Sequence, residues 1–206
     1  MPRGGLDRRA LVAELLRHRE DAAIIAGLGS PSWDCHAAGD SPLNFYLWGG
    51  MGGAAMLGLG VALAQPRRRV LVITGDAEAL MGIGSLATIA AQAPRNLAIL
   101  VLDNEAFGET GRQAGLSGES TDIAAMARGA GIASAFTVDS ELLPQGEGAR
   151  PLRGRPAVEA LAHALFEAAG PALCVAKVSL TDGPDSFPPR EGPLLRDRFR
   201  AALGCG

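Results

Sequence analysis

Two rhythms of apolar residues run along the chain, one close to the helical period and one of short continuous runs. Residues 6–19 carry Leu6, Ala10, Leu11, Leu15 and Leu16 at helical spacing, which predicts a helix with one apolar face. Residues 22–26 are a short apolar run ending at Gly27 and Gly29, the pattern of a buried strand. Segment 30–42 is polar and holds Pro31, Gly39 and Pro42, which predicts a loop or broken helix. A second strand is expected over 43–47, running into Gly49-Gly50-Met51-Gly52-Gly53.

From 51 to 64 the chain is almost wholly small and apolar. This run is too short for a bilayer span, and it predicts a buried helix packed closely on a sheet or a partner. Pro66 and Arg67-Arg68-Arg69 end it at an expected solvated turn. Residues 70–74 form a β-branched strand followed at once by Gly75-Asp76-Ala77; a helix over 81–92 stops before Pro94, and a strand over 96–102 ends at Asp103-Asn104. Strand, helix, strand with continuous apolar strands is the signature of a parallel sheet covered on both faces.

Beyond it, 105–121 is Gly-rich and polar, a long loop that something must order. Asp122 opens a helix through 128, and a strand follows over 133–138. A loop over 140–155, a helix begun by Pro156 and ending near 168, and a last strand over 173–180 complete the pattern. The expectation is a three-layer α/β/α domain over 1–180 with a mostly parallel central sheet. A tail over 181–206, with Pro184, Pro188, Pro189 and Pro193, is expected to wrap a surface or a neighbour.

Composition changes this picture little. The 206 residues are 48% apolar and 20% charged with a formal net charge of −3, typical of globular proteins and without a nucleic-acid or membrane footprint. Cys35, Cys174 and Cys205 lack CxxC spacing, which argues against a disulfide framework or a structural zinc site. With no apolar leader in Met-Pro-Arg-Gly-Gly-Leu-Asp, the cytoplasm is the expected location.

The candidate chemistry lies where strands end. In open parallel sheets, ligands bind beyond the carboxyl ends of the strands, where loops and positive helix ends converge. Residues 49–53, 75–78 and 103–111 all fall there. Asp76 reads either as a turn or helix-cap aspartate or as a carboxylate aimed into the crevice; Asp103-Asn104 reads either as an Asx turn or as an oxygen ligand pair. Together with a loop carbonyl they supply hard oxygens suited to magnesium. No G-x-G-x-x-G follows the first strand and no lysine follows the glycines, so neither a dinucleotide fingerprint nor a P-loop is present.

Gly75-Asp76-Ala77, twenty-five residues, then Asp103-Asn104 resembles the diphosphate-binding signature of thiamine diphosphate enzymes, and Gly49-Gly50-Met51-Gly52 resembles their cofactor-clamping segment. More narrowly, Asn44-Phe45-Tyr46-Leu47-Trp48-Gly49-Gly50-Met51-Gly52, Gly84-Ser85-Leu86-Ala87-Thr88-Ile89-Ala90 and Phe107-Gly108-Glu109-Thr110-Gly111-Arg112-Gln113 are similar to the β subunit of sulfopyruvate decarboxylase and the matching half of phosphonopyruvate decarboxylase. The resemblance covers nearly residues 5–180.

It implies thiamine diphosphate and Mg2+ as cofactors. Asp76 and Asn104 would bind the metal through side chains and Ala106 through its carbonyl. Gly49 would offer a carbonyl to the aminopyrimidine, with Gly50 beside it, and Met51 would wedge the cofactor into its bent form. Gly75, Ala77, Glu78, Phe107 and Gly108 would complete the cofactor contacts. It also implies a β subunit of a 2-oxo acid decarboxylase that releases CO2, with the activating glutamate supplied by a pyrimidine-binding α subunit in an α2β2 or larger hetero-oligomer. A carboligase subunit would use the same residues, and a catalytically weak structural subunit is a third reading.

Three positions depart from the family pattern: Ala77 replaces a glycine, Glu78 stands where a small hydroxyl residue is common, and Gly82 where asparagine is frequent. A methyl at 77 fits if its backbone avoids positive φ. An anionic Glu78 beside a diphosphate is unfavourable unless it turns away or is paired. The histidines give little help: His18 and His163 are expected on helix surfaces, and His36, in the loop after the first strand, reads more readily as outside the site than as part of it.

Overall fold

The computed structural model describes residues 5–139, 155–180 and 183–205. Helix α1 (Arg8–Leu16) leads into β1 (Ala23–Ala26), α2 (Ser30–Ala37) into β2 (Asn44–Tyr46), and α3 (Ala54–Ala64) into β3 (Val70–Gly75). Two short helices, α4 (Asp76–Met81) and α5 (Ser85–Gln92), cross to β4 (Leu97–Asp103). A small antiparallel pair, β5 (Ala106–Phe107) and β6 (Gln113–Ala114), is followed by a 3-10 turn at Leu116–Gly118. Then come α6 (Ile123–Gly129), β7 (Ser134–Val138), α7 (Arg155–Ala162), β8 (Ala172–Lys177) and α8 (Gly192–Ala202).

The main sheet has six strands in the order β2-β1-β3-β4-β8-β7, and every pairing in it is parallel. Alternation splits each strand between two cores. Ile24, Leu71, Ile73, Leu100 and Cys174 meet Leu11, Leu15 and Leu161 on one face. Ile25, Val72, Ile99, Val101 and Val175 meet Leu59, Leu86, Ile89 and Ile123 on the other. Burial on both faces is why these strands read as unbroken apolar runs, and each fully buried aliphatic chain contributes about 1.5–3 kcal/mol. The three-layer parallel architecture expected from the pattern is the one observed.

Local expectations needed correction in four places. Segment 30–42 is not broken from the start: Pro31 sits in the first turn of α2, where its missing N–H removes no helical bond. The helix expected over 81–92 begins earlier and splits at Gly82-Ile83-Gly84. A Cβ on Gly82 would come within 2.2 Å of the Gly52 carbonyl, so the break lets two turns meet. Helix α3 starts at Ala54 and is buried on one side only; Met56 and Leu63 on its outer side are exposed. Of the three arginines at the expected solvated turn, Arg69 is half-buried and donates to the carbonyls of Ala164, Leu165, Ala168 and Arg95, satisfying acceptors at a helical end.

The loop expected over 140–155 lies, except for its last residue, outside the described residues. The Pro-rich tail wraps the chain's own surface. Trp48 Nε1 donates to the Pro189 carbonyl at 2.8 Å, and α8 buries Leu195 and Phe199 against the core. Among the described residues no helix is long and apolar enough to cross a membrane.

Candidate functional site

Strands β2 and β3 lie on opposite sides of β1. The chain therefore reverses its direction of travel across the sheet there, which opens a crevice at the carboxyl ends of β1 and β3. A cavity of about 200 Å³ occupies that crevice. Met51, Gly75, Asp76, Ala77, Glu78, Asn104, Ala106, Phe107 and Gly108 all line it. Gly49 and Gly50 do not; Gly50 lies against Leu47.

Asp76 opens α4 directly from β3 and is only 4% exposed. Its Oδ2 accepts from the Ser117 hydroxyl at 2.7 Å, and the same hydroxyl lies 2.8 Å from Asp103 Oδ1. One hydroxyl proton cannot serve two carboxylates at once. Asp103 is balanced by Lys177, whose Nζ reaches its Oδ2 at 2.7 Å and Glu105 at 2.8 Å. Asp76 makes no such ion pair among the described residues. Burial first, then the charge of Asp103, raises its carboxyl to about 6 against the pull of the Ser117 hydrogen bond. A buried carboxylate with this excess of negative charge is what a divalent cation would relieve.

The Asx-turn reading of Asp103-Asn104 is realised. Asp103 Oδ1 accepts from the Glu105 N–H at 3.1 Å, and Asn104 Oδ1 from the Ala106 N–H at 2.9 Å. An amide oxygen has two lone pairs, so this turn leaves one acceptor site on Asn104. Among the described residues no three His, Cys, Asp or Glu side chains gather as a metal cage. One carboxylate, one amide oxygen and the backbone carbonyl of Ala106 fit magnesium, which leaves its other positions to water and ligand phosphates.

Glu78 stays in the cavity wall and is paired there, one of the two conditions set for an anion at this position. It is 4% exposed, and its Oε2 accepts from the Thr74 hydroxyl at 2.8 Å and the Leu28 N–H at 3.0 Å. Its Oε1 is buried and has no hydrogen-bond partner among the described residues. Burial pushes its carboxyl up, while Thr74 and the amides of Leu28, Gly52 and Ala54 act in the opposite direction. Ala77 lies within α4, and among the described residues positive φ at non-glycine positions is confined to Glu20, Ala93, Glu105 and Arg112. Its methyl is therefore accommodated.

Ser117 and Arg8 carried no signal in the sequence, whereas Glu109 belongs to the 107–113 segment quoted for the resemblance. Ser117 lies in the loop read only as polar, and the β5–β6 hairpin is what folds it back onto Asp76. Glu109 Oε1 accepts from the Ser30 N–H at 3.1 Å at the start of α2. Arg8 is buried in the cavity wall and is held by Asp34, with Nε to Oδ2 and Nη2 to Oδ1 at 3.3 Å; the helical spacing of its leucine neighbours hid it. His36 lies outside the cavity wall and pairs with Ser186 at 2.6 Å. His163 pairs with Glu167 on the surface at 2.8 Å, and His18 is exposed.

An open parallel α/β sheet with an oxygen-rich cavity at its switch point defines a binding domain for a phosphorylated cofactor. Residues 32–176 match the family described as thiamine pyrophosphate enzyme, C-terminal TPP binding domain, and the chain belongs to that family. The β subunit of sulfopyruvate decarboxylase from Methanothermobacter thermautotrophicus is 44% identical over 108 residues, covering 52% of this chain and 58% of that protein. Phosphonopyruvate decarboxylase from Streptomyces viridochromogenes is 46% identical over 121 residues, covering 59% of this chain and 29% of that one. The fold is shared with benzoylformate decarboxylase from Polynucleobacter necessarius, at a TM-score of 0.66 and 16% identity over 87% of this chain and 34% of that one.

Proposed function

We propose that the chain is the diphosphate-binding β subunit of a thiamine diphosphate-dependent 2-oxo acid decarboxylase. The observation that carries this reading is the meeting of Asp76, Asn104, Ala106 and Met51 in one cavity at the β1/β3 switch point. Asp76, Asn104 and the Ala106 carbonyl would hold Mg2+. The backbone of Gly75 and Ala77, with Phe107 and Gly108 opposite, would enclose the diphosphate. Met51, 37% exposed at the cavity wall, would support the bent cofactor, with the carbonyl of Gly49 and the backbone of Gly50 beside it. When bound, thiamine diphosphate supplies the electron sink for loss of CO2. This chain's residues fix the cofactor's charged end and shield it from water.

Two of the similar proteins are a subunit β and a longer single chain, which supports a partner holding the other half of the site. We read that partner as a pyrimidine-binding α subunit that carries the activating glutamate, in an α2β2 or larger assembly. Sulfopyruvate and phosphonopyruvate head the expected substrates. The test is co-expression with the partner, followed by a panel of 2-oxo acids assayed for CO2, aldehyde and ligated products. Decarboxylation to an aldehyde is expected, and ligated products would move the chain to a carboligase. A purified complex showing no magnesium-dependent uptake of thiamine diphosphate by calorimetry would overturn both.

A further inference from the structure

Glu78 sits two residues beyond Asp76 yet takes an entirely different set of partners. Its Oε2 is shared by the Thr74 hydroxyl on β3 and the Leu28 N–H in the turn after β1. A Cβ on Gly27 would fall 1.9 Å from that oxygen, so the β1 turn comes close enough only because Gly27 has no side chain. Its Oε1 is buried and makes no hydrogen bond, and Glu78 shares one small void with Gly52 and Ala54 at the start of α3, whose amides favour the charged carboxyl. Leu28 and Met51 are both in the cavity wall beside Glu78 itself. A donor on β3 and a donor in the turn after β1 thus meet on one oxygen of a carboxylate whose other oxygen is left open, and a carboxylate is the side chain that only accepts.

We infer that Glu78 is a positioning residue that sets the spacing between the segment at Met51 and the diphosphate segment at 75–77. The inference rests on the proposed function, in which a single cofactor spans those two segments. A group that merely filled space would need no open acceptor on a residue that shares a void with Gly52 and Ala54. A group that fixes the spacing must act on any ligand touching both segments and spare a ligand touching only one.

That difference supplies the test. Calorimetry with magnesium present compares thiamine diphosphate with inorganic pyrophosphate in the purified complex of this chain with its partner, as wild type, Glu78→Ala and Glu78→Gln. Glu78→Ala is expected to weaken thiamine diphosphate about 10-fold to 100-fold, the size of losing charge-assisted hydrogen bonds, while pyrophosphate changes less than about 3-fold. Glu78→Gln keeps an acceptor for Thr74 and Leu28 but puts an amide donor where the open oxygen stood. It should fold and show the same selective loss, so the inference can still be judged if Glu78→Ala does not fold. Equal loss for both ligands, or loss that follows a fall in Tm of the ligand-free chain, would reduce Glu78 to a structural residue and overturn the inference. Unchanged affinity for both would also overturn it. A wild type that takes up neither ligand would instead count against the proposed function.

Discussion

The two ends of the central sheet are built on opposite principles. At the amino ends of β3 and β4, side-chain donors are matched to backbone acceptors. Asn96 donates to the carbonyls of Ala62, Gln65 and Arg68 at 3.0, 3.0 and 2.8 Å, and Arg69 closes the helical end after α7. At the carboxyl ends of the same strands, acceptors outnumber donors. Ser117 stands between two carboxylates, and Glu78 keeps an oxygen without a partner. Among the described residues, the buried orphan at the amino ends is a donor, Arg68 Nε, and at the carboxyl ends it is an acceptor, Glu78 Oε1, so the surplus of acceptors lies where a ligand is expected to complete them.

Substitutions at the two ends should therefore separate binding from stability. The largest expected effect is at the carboxyl end: Asp76→Ala should weaken magnesium-dependent uptake of thiamine diphosphate by more than about 100-fold. The Tm of the ligand-free chain should hold or rise, since a buried carboxylate lacking a countercharge is removed. Calorimetry and thermal melts check the two halves of that statement, and retained uptake would mean the metal assignment is wrong.

At the amino end the pattern should invert. Asn96→Ala takes the side-chain donor from the carbonyls of Ala62 and Arg68, while Gln65 keeps its bond from the Arg68 N–H, and should cost about 1–3 kcal/mol in urea unfolding, with cofactor uptake unchanged. Ser117→Ala tests whether the shared hydroxyl belongs to the binding end. A roughly 10-fold loss of uptake is expected from removing a group that orients a metal ligand, and a loss confined to unfolding stability would assign it to the scaffold.

The smallest effect lies away from both ends, where Arg198 ties α8 to Asp40 at 2.7 Å. Burial alone would raise the Asp40 carboxyl, but hydrogen bonds from Arg198 and Tyr46 outweigh it and hold the group below its ordinary value. Stability from this pair is thus present above the unfolded carboxylate pKa of about 3.9 and lost as pH falls through the lower folded value. Arg198→Ala should cost no more than about 1 kcal/mol at neutral pH. An acid step in tryptophan fluorescence is expected as the tail loosens, since Trp48 holds Pro189 and lies under Arg190, and Arg198→Ala should abolish it.

The sheet was legible in the sequence because a strand buried on both faces has to be apolar throughout, as in β3 and β4. The switch-point site was legible because Asp76, Asn104 and Ala106 directly follow such strands. The break between α4 and α5 was not, since Gly82 answers to Gly52, thirty residues away in the chain. Ser117 and Lys177 were hidden for a related reason: nothing in a polar loop or at a strand's last position names the carboxylate it will meet. Even Arg69, read with its neighbours as a solvated turn, finds its acceptors some 95 to 99 residues later.

Glu78 and Gly82 line one small void of about 20 Å³ beneath the cavity, next to Gly52. Volume at either position is therefore taken from the same space. A side chain at 82 runs into the Gly52 carbonyl, so the 52–54 turn has to shift before position 82 can grow, and Glu78 shares the void with that turn. Bulk at 82 and the carboxylate at 78 are therefore two handles on the same 52–54 turn.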